Sequence, residues 1–517
     1  MLQLFLPLAL WLPSLPFRFL CLLILGARMS LFDPRSIAVS SGHFIGGRLV
    51  QDTPRLGVLR PSDGQMHADL PLADASTVDA AVQNAWQAWR SSDWARRAPR
   101  DRARVLRRWA DLIDADVALL APLEAVCSTR PVRDATAWDV PFTAEGLRFF
   151  AEYADKLGGD VAATRHDHLG MVVAEPYGVV GAITPWNFPL VMMSWKVGAA
   201  LAAGNAVVLK PSEMTPFSAV RLAELAVQAG VPAGLFNVVR GDGRITGDAL
   251  TRHPLIAKMT FTGSTRTGAA IMASCALQGP KPVTLELGGK SPQIIFDDAD
   301  LDAAIPVVVN AIVQNSGQTC SAGSRVLIQQ GIYEPLLKRL GEAFGRLQVG
   351  SAAMNLDLGP LIRASQLERV TGFLDQARAD GIATVAQGQI AAGVPAGGFY
   401  QAPTLLRDVP VMHRLAQEEV FGPVLSAMSF TDEDHAVELA NATEFGLVAG
   451  IWTRDGGRQF RMAKRVRSGQ VFINNYGAGG GVELPFGGVK SSGYGREKGF
   501  EALLGFTTLK TVAIQHG

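Results

Sequence analysis

The chain has 517 residues, 48% hydrophobic and 18% charged, with a formal net charge of +1. That length supports two or three domains with full cores, and the composition is that of a globular protein. The balanced charge gives no ground for a nucleic-acid partner, and four scattered cysteines (Cys21, Cys127, Cys275, Cys320) make neither a zinc site nor a Cys-x-x-Cys pair. No metal site is expected, and so few thiols fit a reducing, cytoplasmic setting.

Leu2 to Leu25 is strongly apolar, with Arg18 its only charge. It has no basic start, and Pro7, Pro13 and Pro16 break any helix. Residues 1–28 are therefore expected to be an extension outside the fold, which argues against a membrane partner; an export or anchoring segment is the alternative. Residues 74–126 have the period of amphipathic helices, with Asp74 as an N-cap ahead of Val78, Ala81, Val82 and Ala85. Another long helix is expected over 134–156, then an extended hairpin from Gly158 to Glu175.

From Gly178 strands alternate with helices. Val179–Ile183, Ala206–Leu209, Phe236–Val239 and Ala257–Phe261 read as buried strands. Val191–Ala203 and Pro216–Ala229 read as helices, ending at Gly204 and Gly230. This pattern predicts a doubly wound parallel sheet. A second α/β region is expected over about 289–488, and Leu503–Ile514 has strand character.

Several chemistries lack their signatures. The nearest approach to Gly-x-Gly-x-x-Gly, Gly241-Asp242-Gly243 with Gly247, is one residue too long. Thr284 stands where a P-loop needs its first glycine, and neither His-Glu-x-x-His nor Gly-x-Ser-x-Gly occurs. What is present is Cys320 in Asn315-Ser316-Gly317-Gln318-Thr319-Cys320-Ser321-Ala322-Gly323-Ser324-Arg325, a thiol among small residues. Covalent chemistry there needs a base and an oxyanion stabiliser. Glu286, in Leu285-Glu286-Leu287-Gly288-Gly289-Lys290-Ser291-Pro292, suits the first. Asn187, in Thr184-Pro185-Trp186-Asn187-Phe188-Pro189, is a donor that cannot ionise, although a helix cap is its ordinary use.

These runs resemble the aldehyde dehydrogenase superfamily. So do Lys210-Pro211-Ser212-Glu213, Phe261-Thr262-Gly263-Ser264-Thr265, Glu418-Glu419-Val420-Phe421-Gly422-Pro423 and Pro485-Phe486-Gly487-Gly488. All seven occur in the family's order, over about residues 43–514. The resemblance implies an aldehyde-dehydrogenase-like α/β fold: a Rossmann-type cofactor domain from 29–156 and 176–288, a catalytic domain from 289–488, and a β oligomerisation arm from 157–175 and 489–517. It implies oxidation of a small-molecule aldehyde to an acid by an enzyme that assembles as a homodimer or homotetramer. Cys320 would be the nucleophile, Asn187 the oxyanion donor and Glu286 the base that hydrolyses a thioester. A CoA-acylating enzyme and a catalytically silent binding protein are the alternatives, and the intact Cys320, Glu286 and Asn187 speak against the second.

The resemblance also assigns a cofactor site: Thr184, Trp186, Lys210, Ser212, Glu213, Gly263, Ser264, Glu419 and Phe421. A carboxylate at Glu213 accepts ribose hydroxyls and repels a 2′-phosphate, so NAD+ is expected over NADP+. Lys196 and Glu497 match positions that relay protons from Glu286. Phe188, Met192 and Trp195 match the walls of a substrate tunnel, and Gly479, within Tyr476-Gly477-Ala478-Gly479-Gly480-Gly481, matches its mouth. Small residues there predict a wide opening. One departure is Cys127-Ser128-Thr129-Arg130-Pro131, where many members carry Glu-x-Gly-Lys-Pro; this loop is expected to lie far from the catalytic residues.

Overall fold

The computed structural model describes residues 32–51, 53, 55–477 and 481–517. The expectations for residues 1–28, for Cys21 and for Gly479 fall outside them. Asp74 caps the first long helix, Ala75–Ser91, its carboxylate accepting from Thr77 N, and Val78, Ala81, Val82 and Ala85 are buried along one stripe. Helices Pro99–Ala115, Val117–Cys127 and Val140–Tyr153 follow.

The first sheet has eight strands. Its parallel centre runs Phe236–Val238, Ala206–Lys210, Val179–Ile183, Ile256–Thr262 and Val283–Glu286 in spatial order. Every residue of Val179–Ile183 and Ala206–Lys210 is buried, as apolar strands covered on both faces must be. The chain reverses its direction of sheet growth between Val179–Ile183 and Ile256–Thr262. A crevice opens at the carboxyl ends of such strands. The second sheet has seven strands, Pro292–Ile295 at its own reversal point between Arg325–Gln329 and Val448–Trp452.

A third sheet joins Asp160–Ala162, His168–Pro176 and the tail strand Thr507–Gln515, all antiparallel. The tail therefore splits. Gly493–Tyr494 pairs with Leu285 and Glu286 at the edge of the first sheet, and only the later residues join the arm. Leu503 lies within a short helix, Gly499–Gly505, rather than opening the strand. The helix expected over Val191–Ala203 is also broken: it runs Pro189–Met193, passes through a π-turn at Ser194–Gly198 and resumes at Ala199–Ala202. Its carboxyl end is as read, with Gly204 at φ 95°. Among the described residues no helix is long and apolar enough to cross a membrane.

Candidate active site

Three chain segments bring the chemistry together. Glu286 ends strand Val283–Glu286, in register with Thr262. Asn187 lies just past strand Val179–Ile183. Cys320 lies between the turn Gln314–Gly317 and strand Arg325–Gln329. That turn is held in an uncommon shape: Asn315, Ser316 and Gly317 have φ of 51°, 56° and 72°. Non-glycine residues enter this region only when their surroundings over-determine them. Here Ser316 Oγ donates to Gly359 O at 2.7 Å, Gln318 Nε2 donates to Asn315 O at 3.1 Å, and Ile362 N donates to Gln318 Oε1 at 3.0 Å. Tyr476 Oη donates to Ser321 O at 2.6 Å and so pins the backbone on the far side of Cys320.

Asn187 is built into the same loop. Its Nδ2 donates to Gln318 O at 3.0 Å, and its own carbonyl accepts from Asn315 Nδ2 at 2.9 Å. A carboxamide nitrogen carries two hydrogens, so one remains for a substrate oxygen. The loop at 127–131, expected to be remote, is part of this network. Thr129 is fully buried, and its Oγ1 donates to Asn315 Oδ1 at 2.5 Å. Arg130, paired with Asp139 at 2.9 Å, lies over the ring of Phe188 at 5.2 Å. The sequence pattern marks the loop as a departure and carries no signal for where it folds.

Burial sets the electrostatics. It raises the Cys320 thiol, and the charges of Glu419 and Glu286 push it further. Burial also lifts the Glu286 carboxyl well above 4.5, with the Glu497 charge adding to it while Lys196 and Arg496 oppose it. Neither oxygen of Glu286 has a hydrogen-bond partner among the described residues. Gly487 leaves room for it, since a Cβ there would lie 2.7 Å from Glu286 Oε1. Behind Glu286, Lys196 and Glu497 are both buried and form an ion pair. Lys196 Nζ also donates to Thr262 Oγ1 at 2.8 Å, next to Glu286 in the sheet.

One cavity of about 810 Å³ runs from the first sheet's crevice to Cys320. Thr184, Trp186, Asn187, Lys210, Ser212, Glu213, Gly263, Ser264, Glu419, Phe421 and Met192 all line it. At one end Lys210, buried, donates to Pro211 O and Gly241 O at 2.8 Å and lies 3.5 Å from Glu213. Burial holds the Lys210 ammonium below its ordinary value. Ser264 caps the twelve-residue helix Thr265–Ala276, whose first N–H groups suit a pyrophosphate. At the other end Glu419 Oε1 accepts from Gly289 N at 2.9 Å, and burial lifts its carboxyl to about 7. A Cβ at Gly288 would sit 2.7 Å from Glu419 Oε2, which explains one of the paired glycines; at Gly289 it would strike the Cys320 carbonyl, which explains the other. Phe421, at φ 57°, meets Trp186 edge-on at 5.3 Å.

The other residues expected to wall a tunnel, Phe188 and Trp195, join Met192 in a buried cluster packed against Cys320. Among the described residues no group of three or more His, Cys, Asp or Glu side chains is placed to hold a metal.

The sequence profile of the aldehyde dehydrogenase family matches residues 50–512. The betaine aldehyde dehydrogenase of Cereibacter sphaeroides is 40% identical over 481 residues, 92% of this chain and 98% of that protein. A putative aldehyde dehydrogenase from Burkholderia cenocepacia superposes with a TM-score of 0.91 at 54% identity, covering 92% of this chain and 100% of that one. The P. syringae AldA indole-3-acetaldehyde dehydrogenase, solved with NAD+ and IAA, superposes with a TM-score of 0.90 at 39% identity, covering 93% and 98%.

Proposed function

The chain belongs to the aldehyde dehydrogenase family, and from that premise we propose that it oxidises an aldehyde to a carboxylic acid with NAD+ through a thioester on Cys320. The observation that carries this reading is the single cavity that joins the dinucleotide residues Lys210, Glu213 and Ser264 to Cys320 and Asn187. Its size and mixed lining fit a bound dinucleotide. Lys210, Ser212 and Glu213 would hold the adenosine ribose, Ser264 and its helix end the pyrophosphate, and Glu419 with Phe421 the nicotinamide side. Glu213 disfavours a 2′-phosphate by like charge, so NADP+ is the poorer partner.

The chain's own residues then act in order. The Cys320 thiol is raised by burial, so it cannot rely on spontaneous ionisation and needs a base. Glu286, unpaired and more basic than an ordinary carboxylate, accepts its proton. Sulfur bonds to the aldehyde carbon, and the oxyanion accepts from the Asn187 amide and the Cys320 N–H. NAD+, when bound, supplies the hydride acceptor. Glu286, its proton passed toward Lys196 and Glu497, next deprotonates the water that opens the thioester and frees the Cys320 thiolate.

Cys320→Ala tests the reading: NADH formation should vanish while NAD+ still quenches tryptophan fluorescence, and retained turnover would sink it. Product analysis with and without CoA separates hydrolysis from acyl transfer to CoA; Glu286 supports hydrolysis. We divide the chain into a cofactor domain on the first sheet, a catalytic domain on the second and an arm on the third. The arm leaves Val161 and Leu509 more than two-thirds exposed, which supports a homodimer or homotetramer, to be checked by light scattering. The described cysteines Cys127, Cys275 and Cys320 are all free thiols, which supports a cytoplasmic location.

A further inference from the structure

Resting on the aldehyde dehydrogenase reading, Glu286 has to lose the proton taken from Cys320 before it can take one from water. Lys196 and Glu497 stand behind it, but both are buried, so the proton needs a further carrier to reach solvent. The first sheet continues the line. Alternate residues of a strand share a face, and strand Ile256–Thr262 carries Lys258, Thr260 and Thr262 on one of its faces. On the neighbouring strand Thr284 stands opposite Thr260, and Glu286 opposite Thr262. All of these side chains are buried. A polar column therefore runs through the core from Glu286 to Lys258, about 13 Å along the strand at about 3.3 Å per residue.

The column is linked at both ends. Lys196 Nζ donates to Thr262 Oγ1 at 2.8 Å, to Thr260 Oγ1 at 3.2 Å and to Glu497 Oε1. Thr260 Oγ1 donates to the same Glu497 oxygen at 3.2 Å. The other oxygen, Glu497 Oε2, has no hydrogen-bond partner among the described residues. At the far end Lys258 Nζ donates to Thr284 Oγ1 at 2.9 Å, and an ammonium has donors to spare after one such bond. The gap between Glu497 and Lys258 is polar on both sides, the setting in which buried water is held. Burial holds the Lys258 ammonium down at about 8, while the Glu497 charge favours it and Lys196 opposes it. Its outer side meets the rings of Phe506 at 5.5 Å and Tyr177 at 5.7 Å, and Tyr177 is only half-buried.

We infer that Lys258 is the outer carrier of a proton path: Glu286 passes its proton by way of Lys196 to Glu497, Glu497 passes it to Lys258, and Lys258 releases it to solvent beside Tyr177. Lys258 receives the proton as an amine and releases it as an ammonium. Each group returns to its starting state, and no electron pair changes owner. Lys258 lines no part of the cofactor cavity, so it acts through Glu286 and not on substrate.

Lys258→Met tests the path. NADH should appear in a burst followed by a slow steady state, because hydride transfer precedes the second use of Glu286. Steady-state kcat should fall about 10- to 100-fold, less than the about 10²–10⁴ expected of a general base itself, with KM for NAD+ unchanged. Imidazole, small enough to carry protons through the cavity, should restore kcat in the variant as its concentration rises and leave the wild type unaffected. Lys258→Arg keeps the charge, but a guanidinium does not give up its proton, so it should show the same imidazole-dependent defect. Wild-type kcat without imidazole in either folded variant would overturn the inference, and so would a defect that imidazole does not relieve. A wild-type kcat that itself rises with imidazole would overturn it as well, whether or not the variants fold. Absence of NADH formation by the wild type with every aldehyde would instead overturn the dehydrogenase reading.

Discussion

Thr129→Val removes one hydroxyl at nearly constant volume and should act on a cysteine far away in sequence. In the wild type Thr129 Oγ1 donates to Asn315 Oδ1 at 2.5 Å, inside a fully buried site. The variant leaves that oxygen buried with no donor, at a cost of about 1–3 kcal/mol. The cost falls on a turn already held at positive φ through Asn315 and Ser316, so the native shape loses ground to relaxed ones. The same Asn315 side chain donates to Asn187 O, so both Cys320 and Asn187 shift. If about half of that cost, about 0.5–1.5 kcal/mol, appears in the transition state, kcat falls about two- to twelvefold at about 1.36 kcal/mol per decade. KM for NAD+ should hold, because Lys210, Glu213 and Ser264 are untouched. Thr129→Ser keeps the hydroxyl and should restore kcat to within about twofold. Initial rates give kcat, and the rate of iodoacetamide alkylation followed on the peptide that carries Cys320 reports loop geometry independently. Wild-type kcat together with a wild-type alkylation rate in Thr129→Val would refute the reasoning.

In the wild type, kcat should climb with pH along a limb well above pH 4.5, because the proposed base, Glu286, must be deprotonated to act and its carboxyl is raised. Glu286→Gln should abolish that limb and lower kcat by about 10²–10⁴; a limb surviving in the variant would assign it to another group. Lys196→Met removes a charge that lowers the Glu286 pKa, so the limb should move to higher pH. It also strands Glu497 in the core at a cost of about 3–5 kcal/mol, visible as a lowered thermal midpoint. Glu213→Ala should raise kcat/KM for NADP+ relative to NAD+ by about tenfold, one opposing charge being gone; an unchanged ratio in initial-rate assays would place cofactor choice outside that residue.

Much of the fold is legible in the residues because its signals are local. Asp74 caps a helix whose buried stripe follows from the spacing of Val78, Ala81, Val82 and Ala85, and Gly204 and Gly230 end theirs in positive φ. Strands buried on both faces announce themselves as apolar runs, as Val179–Ile183 does. The π-turn at Ser194–Gly198 was not legible, since its apolar residues keep a period that an unbroken helix would share.

By itself the sequence determined the reaction class and marked Cys320, Glu286 and Asn187 as candidates for its chemistry and the residues around them as candidates for the cofactor, because those features are carried by short runs in a fixed order. The tertiary structure decided which polar groups are buried and what they meet. Lys196 meets Glu497 across 301 positions, and Thr129 meets Asn315 across 186. A charge or hydroxyl in one segment says nothing of a partner that only folding supplies. The same holds for Arg130 and Lys498: each reads as an ordinary basic residue until the chain closes and sets it over an aromatic ring of the cluster beside Cys320.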